Sequence, residues 1–224
     1  MLAKLLTKLA DDQQATSPAA RLRKGRFALF KTLMQSVQTP LRILDAGGAA
    51  GIWERERFCD GQEGVEILLL NVYDTQVSGP NLKSVVGDVR AMPQFRDGEF
   101  DVVFSNSVIE HVGDYEEQRQ MANEIRRVGK RYFLQTPNRY FPIEPHFLFP
   151  FFQFLPLWAK VWLVTSFRIG WSPRFTDKKE AAEFVSSVKL LSKQELLNLF
   201  PGSTLFEEKI WGMTKSFIVY DGWK

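Results

Sequence analysis

The sequence predicts an α/β fold in which a mostly parallel, doubly wound sheet is covered by helices on both faces. Three observations predict it. Short apolar runs alternate with helical segments between residues 41 and 136. A glycine-rich turn follows the first of those runs and leads directly into a helix-like stretch, the opening of a βαβ unit. The C-terminal part changes rhythm and ends in two strand-like runs whose link is so short that they can pair only antiparallel.

Taken in order, residues 17–38 read as a helix, with a Ser17-Pro18 start and apolar residues at Leu22, Phe27, Phe30, Leu33 and Met34. Thr39-Pro40 ends it, because the residue before proline avoids the helical region. Leu41–Ala46 is the first strand and helix-like sequence then runs to Cys59. Val65–Leu70, Leu82–Val86, Phe100–Ser105 and Arg131–Gln135 are four more buried strands, each bounded by turn residues. A helix over about 114–128 is expected from the spacing of Asp114 and Glu117, which fits a reciprocal cap, and from Gly129 at its end. Ser192 and Glu195 mark a second capping box before a helix. Thr204–Ile210 and Lys215–Tyr220, joined by Gly212-Met213, complete seven candidate strands.

Length and composition set bounds. A chain of 224 residues can bury one sizeable α/β core. The net charge of +3 gives no argument for nucleic acid as a partner. Charge is unevenly spread: residues 1–40 hold seven cations (Lys4, Lys8, Arg21, Arg23, Lys24, Arg26 and Lys31) against Asp11 and Asp12. That basic arm is either a solvated helix face or a surface for an anionic substrate or acidic membrane. Leu2, Leu5, Leu6 and Leu9 line one face of a helix there, and Lys4 and Lys8 interrupt any signal-peptide reading. Cys59 is the single cysteine, which rules out an internal disulfide or thiolate cluster and fits a reducing, cytoplasmic setting. The expected organisation is a helical arm over residues 1–40, then one domain over 41–224 with an insertion at 137–177.

The chemistry begins at Ile43-Leu44-Asp45-Ala46-Gly47-Gly48-Ala49-Ala50-Gly51. Glycines at a strand-to-helix turn let backbone approach a ligand closely. In open α/β sheets ligands sit beyond the carboxyl ends of strands, where strand order reverses. The pattern Gly-x-Gly-x-x-Gly of nicotinamide dehydrogenases is not present here. The acid followed by small residues at Gly47, Ala49 and Gly51 instead resembles the first motif of the class I (Rossmann-like) S-adenosylmethionine-dependent methyltransferases, of the type-11 kind. Asn71, at the end of the second strand, stands where the family carries an acid for the ribose hydroxyls. Val86-Gly87-Asp88-Val89 resembles the segment that reads the adenine, through Asp88 and the backbone of Val89. Asp101 to Val112, including Ser105, resembles the fourth-strand segment that borders the cofactor. The resemblance implies a Rossmann-like, seven-stranded sheet and S-adenosyl-L-methionine as cofactor, held by Asp45, Gly47, Gly48, Gly51, Asn71, Asp88, Val89 and Ser105.

The only two histidines, His111 and His146, each lie close after a glutamate, Glu110 and Glu144. The pairs follow strands four and five, so adjacent strand ends bring the four groups toward one pocket. Either a histidine removes the acceptor's proton, or the two Glu-His pairs hold a divalent metal, or Glu110 and His111 only cap and orient a loop. The metal reading resembles a subset of the family with Glu-x-x-Glu-His and a later His. Ser107 stands in place of the first glutamate here, and no metal is assigned. Residues 147–167 are densely aromatic, yet Pro150, Pro156 and Lys160 argue against a membrane span. The resemblance makes this stretch a cover over the acceptor site, and its composition fits an acceptor pocket, a membrane contact or plain packing. The function expected is methylation, chiefly on oxygen, of a small-molecule, sugar or lipid acceptor, by a cytoplasmic or peripheral membrane transferase. The alternative is a non-catalytic binding or assembly protein that keeps the fold.

Overall fold

A computed structural model describes residues 17–59 and 63–223. The apolar face expected around Leu2 to Leu9 lies outside the described residues. The elements, in chain order, are α1 (Pro18–Met34), β1 (Leu41–Ala46), α2 (Ala50–Arg55), β2 (Val65–Asn71), β3 (Leu82–Val86) and β4 (Val102–Asn106). There follow a 3-10 turn (Ile109–His111), α3 (Tyr115–Val128), β5 (Tyr132–Pro137), β6 (Ile143–Glu144) and β7 (Phe149–Pro150). A second 3-10 turn (Phe152–Phe154), α4 (Leu157–Ser166), α5 (Lys178–Ser187), α6 (Lys193–Leu199), β8 (Thr204–Ile210) and β9 (Met213–Asp221) end the chain.

Seven strands form one sheet in the order β3-β2-β1-β4-β5-β9-β8. The pairs among β1 to β5 are parallel. β9 runs antiparallel to both β5 and β8. This is the α/β, Rossmann-like sheet with a C-terminal antiparallel pair that the sequence predicts. Alternate residues of each central strand feed opposite faces, as a two-residue side-chain period requires. Leu44, Leu70, Val103 and Leu134 pack with α3 and α6 on one side. Ile43, Ile67, Leu69, Val102, Phe104 and Phe133 pack with α1 and Trp53 of α2 on the other. Strand order reverses between β1 and β4, which places a ligand crevice beyond their carboxyl ends.

α1 starts where Ser17 caps it, its hydroxyl accepting from the Ala20 N–H at 3.0 Å. It stops at Met34, a turn earlier than Thr39-Pro40 implies. Its buried Phe27 and Phe30 join Trp53, Phe58, Phe104 and Phe133 in one core. Both capping boxes form: Asp114 with Glu117 and Ser192 with Glu195. Gly129 is at the α3 terminus as expected, though not for left-handed backbone. Its φ is −101°, and a Cβ there would come within 2.7 Å of the Arg131 carbonyl and 2.6 Å of Val103. The insertion after β5 has its own small core of Phe147, Phe152, Val164, Phe175, Ala181 and Val185. Ala181 and Val185 of α5 belong to that core. Among the described residues no helix is long and apolar enough to cross a membrane.

Candidate active site

Two groups of side chains meet the crevice. The first is the corner after β1. Asp45, the penultimate residue of that strand, is fully buried. Its Oδ2 accepts from Trp53 Nε1 at 2.7 Å, while Oδ1 has no partner. Burial raises its pKa to about 7 against the single opposing bond from Trp53. The carboxylate rests directly under Gly48, where a Cβ would lie 1.7 Å from Oδ2. Gly47 has φ +82° and a Cβ there would strike Val108 at 2.4 Å, so both positions require glycine. Ala49 has φ −120° and ψ 144°, a conformation any residue adopts, which explains why alanine is accepted there. A Cβ on Gly51 would meet nothing within 4 Å.

The other sequence-predicted cofactor residues surround this corner. Asn71 ends β2 and its Nδ2 donates to the Gly48 carbonyl at 2.6 Å and to Thr75 Oγ1 at 3.1 Å. Asp88 follows β3 and is clamped by Arg90, whose Nε lies 3.0 Å from both carboxylate oxygens and whose second nitrogen reaches Oδ2 at 2.7 Å. The Arg90 hydrogen bonds hold the Asp88 carboxyl below its usual range. Val89 turns its side chain into the core, leaving only its backbone to face a ligand. Ser105 donates to the Ala46 carbonyl at 3.0 Å and fastens β4 to β1 at the point of reversal. Val72, Tyr73 and Val86 are exposed apolar residues beside Asn71 and Asp88.

The second group is the pair of Glu-His sequences, which the fold brings together. His111 Nε2 and His146 Nε2 are 3.1 Å apart, and His146 Nδ1 lies 2.7 Å from Glu144 Oε1. Glu144 Oε2 accepts the backbone N–H groups of His146 and Phe147 at 2.8 and 2.7 Å. Glu144 is buried, and three donors therefore fix its position. Burial opposes charge on His146, but the Glu144 hydrogen bond and charge, with Glu110 behind, raise its pKa above the ordinary value. His111 goes the other way: burial, then the His146 charge, lower it to about 4. Glu110 lies fully buried in the 3-10 turn. Its Oε2 accepts from Thr136 Oγ1 at 2.9 Å, Oε1 has no partner, and burial raises its pKa. One ligand atom from each of Glu110, His111 and His146 falls within 4.8 Å of the others, close enough to share one cation.

Sequence reasoning missed the support under this site. Arg26 of α1, read there as part of a basic arm, is buried and pairs with Glu208 of β8 through Nε at 3.1 Å and Nη2 at 2.7 Å. Its Nη1 donates to Gln135 Oε1 at 2.9 Å and to Asn106 Oδ1. Gln135 also accepts from Ser107 Oγ at 2.8 Å, which braces the left-handed Ser107 (φ +55°) at the turn carrying Glu110 and His111. The available signal was position: Arg26 falls on the same helical stripe as Leu22, Phe30 and Leu33.

Residues 63–132 match the family model of the methyltransferase domain. An uncharacterized protein of Mycobacterium tuberculosis is 31% identical over 70 residues, covering 31% of this chain and 24% of the relative. The match thus spans about a quarter of that relative's length. Among solved structures, a SAM-dependent methyltransferase from Aquifex aeolicus superposes over 94% of this chain and 95% of its own, with TM-score 0.51 and 12% identity. A proposed Zn-dependent alcohol dehydrogenase from Rhodobacter sphaeroides gives TM-score 0.54 at 12% identity, over 85% of this chain and 87% of its own. Likeness at this identity establishes the fold, which is that of Rossmann-like proteins including class I methyltransferases. The family-model match covers about a third of the chain, and the chemistry is argued from the chain's own side chains.

Proposed function

We propose that the protein is an S-adenosylmethionine-dependent methyltransferase that modifies an oxygen of a small-molecule, sugar or lipid acceptor. The observation that carries this reading is the unpaired, fully buried Asp45 oxygen beneath a glycine-rich corner at the reversal of strand order. A buried carboxylate lacking a partner favours a cation. The resemblance in motif assigns the cofactor's ammonium to it. When bound, the cofactor supplies an electrophilic methyl group on a sulfonium. Gly47, Gly48 and Gly51 would give it close backbone approach. Asn71 would meet the ribose through Oδ1, since its nitrogen is already engaged. Asp88 and the Val89 backbone would border the adenine, with Val72, Tyr73 and Val86 as its apolar rim.

Methylation of a hydroxyl releases one proton as the oxygen takes the methyl. His146 is suited to hold that proton, because Glu144 stabilises its imidazolium through Nδ1. His111, neutral at working pH given its lowered pKa, would pass or orient the acceptor's proton across the 3.1 Å gap. Alignment of acceptor and methyl supplies much of the remaining rate. The wild-type pH–rate profile should rise through the elevated His146 pKa, since the base works unprotonated. Glu144→Gln should move that limb to lower pH, and His146→Gln should lower kcat about 10²–10⁴-fold with cofactor affinity unchanged. An unaltered profile in both variants removes the base role. Loss of activity to a chelator, restored by added Mg²⁺ or Mn²⁺, would instead favour a cation shared by Glu110, His111 and His146.

A second reading, a binding or assembly protein without catalysis, is favoured by one observation. The Asp88 carboxylate is already committed to Arg90 and the Asn71 amide to Gly48. Binding of S-adenosylmethionine with no turnover against a metabolite extract would support it.

A further inference from the structure

A cavity of about 540 Å³ lies between the insertion and the segment that follows α5. Phe147, Phe152, Phe154 and Leu157 give it apolar walls, Lys160 and Lys189 give it cationic groups, and Glu144 forms part of its lining. Glu144 is the residue that holds His146, so the cavity borders the proposed reaction centre. Phe154 and Leu157 are also half exposed, at 51% and 52%, so its mouth is continuous with the outer face of the insertion.

That outer face is unusual. Trp158, Trp162, Phe151, Phe167 and Trp171 are all more than half exposed, Trp158 at 74%. Trp158 and Trp162 stand one turn apart on α4 and so share a helix face. A soluble surface seldom keeps such a patch unless something covers it. From Pro145 to Thr176 the chain has Lys160, Arg168 and Arg174 and no aspartate or glutamate. The charge carried by this stretch is of one sign, although α5 and its cap, packed against α4, add Lys178 and Lys179 with Asp177, Glu180 and Glu183. Tryptophan with flanking basic residues is the composition of a membrane-interface surface, and anionic lipid is its electrostatic complement. Among the described residues no helix is long and apolar enough to span, and α4 fits docking in the plane of the interface.

We propose that the insertion docks on an anionic phospholipid surface through α4 and its neighbouring aromatics, and that the cavity opening on this face admits an amphiphilic acceptor drawn from that membrane. The apolar body of the acceptor lies against Phe147, Phe152, Phe154 and Leu157. An acidic or hydroxyl-bearing head meets Lys160 and Lys189. The acceptor part of this inference rests on the methyltransferase reading, while the docking part does not.

The test is cosedimentation of the whole chain with phosphatidylcholine vesicles, with and without phosphatidylglycerol, at low and high salt. The wild type should pellet with the anionic vesicles at low salt and be released by high salt. Trp158→Ser with Trp162→Ser should weaken partitioning about tenfold or more, with an unchanged melting curve and unchanged S-adenosylmethionine binding by calorimetry. A wild type that stays in the supernatant with anionic vesicles overturns the proposal. So does a double variant that pellets equally well. If the variant instead converts a dimer to a monomer in sedimentation velocity, with no vesicle binding by the wild type, the face is a self-interface and the proposal fails. Vesicle binding without any S-adenosylmethionine binding would sink the enzyme reading and leave the docking surface standing.

Discussion

Burial of the Asp45 carboxyl costs the fold stability at neutral and higher pH. Its pKa in the folded protein is about 7 against an ordinary 3.8. The folded state therefore holds a proton that the unfolded state has released between about pH 4 and 7. Stability from this group is present below the lower of those values and is lost as pH rises through the upper one. The loss is on the order of a few kcal/mol at pH 8. Asp45→Asn should accordingly raise the melting temperature by several degrees at pH 8 relative to wild type, with little change at pH 4. The same substitution should weaken S-adenosylmethionine binding about tenfold or more, because the cation loses its counter-charge. Equal pH dependence of melting in the two proteins would contradict the burial argument. At this scale the sequence marked Asp45, Gly47 and Gly48 correctly as a corner, because glycine spacing after an apolar run reports backbone geometry. It also placed both Glu-His pairs near one pocket. It did not reveal that Asp88 is held by Arg90 or that Asn71 braces Gly48, since both depend on rotamers that local pattern does not encode.

At the scale of elements, α1 braces the turn that carries Glu110 and His111, although its Arg26 lies 80 residues before Asn106. Its aromatic face packs on the sheet, and Arg26 reaches through to the carboxyl ends of β4 and β5 and to β8. The Arg26–Glu208 pair is almost fully buried, with side-chain exposures of 9% and 3%. Removing one partner strands a buried charge, at a cost of about 3–5 kcal/mol. Arg26→Ala should therefore lower the melting temperature by about 10 °C, and adding Glu208→Gln should recover part of it. Melting of the single variant within a degree or two of wild type would contradict the role given to this network. The strands and capping boxes were legible because period-two burial and Ser/Asp-x-x-Glu spacing are local signals. The depth of α1 was not, because a helix with five cations looks solvated until one of them finds Glu208, 182 residues away. The β6–β7 hairpin escaped as well, its strands being two residues each.

For the whole molecule, the sheet divides the labour. One end carries the corner at β1 and the rim at β2 and β3, and the insertion after β5 brings His146, Glu144 and the aromatic cavity over the other side of the crevice. On the proposed reading, Asp45 beneath the turn suits a cation and not a diphosphate, which favours methyl transfer over the other chemistries that share this sheet. Cofactor binding therefore decides the proposed function. The most direct measurement is calorimetric titration of the folded wild-type chain and of Asp45→Asn with S-adenosylmethionine. Saturable binding by the wild type, in the micromolar range (roughly −8 kcal/mol) and clearly weaker in the variant, is the result predicted. No heat of binding to the folded wild type at millimolar cofactor would contradict it.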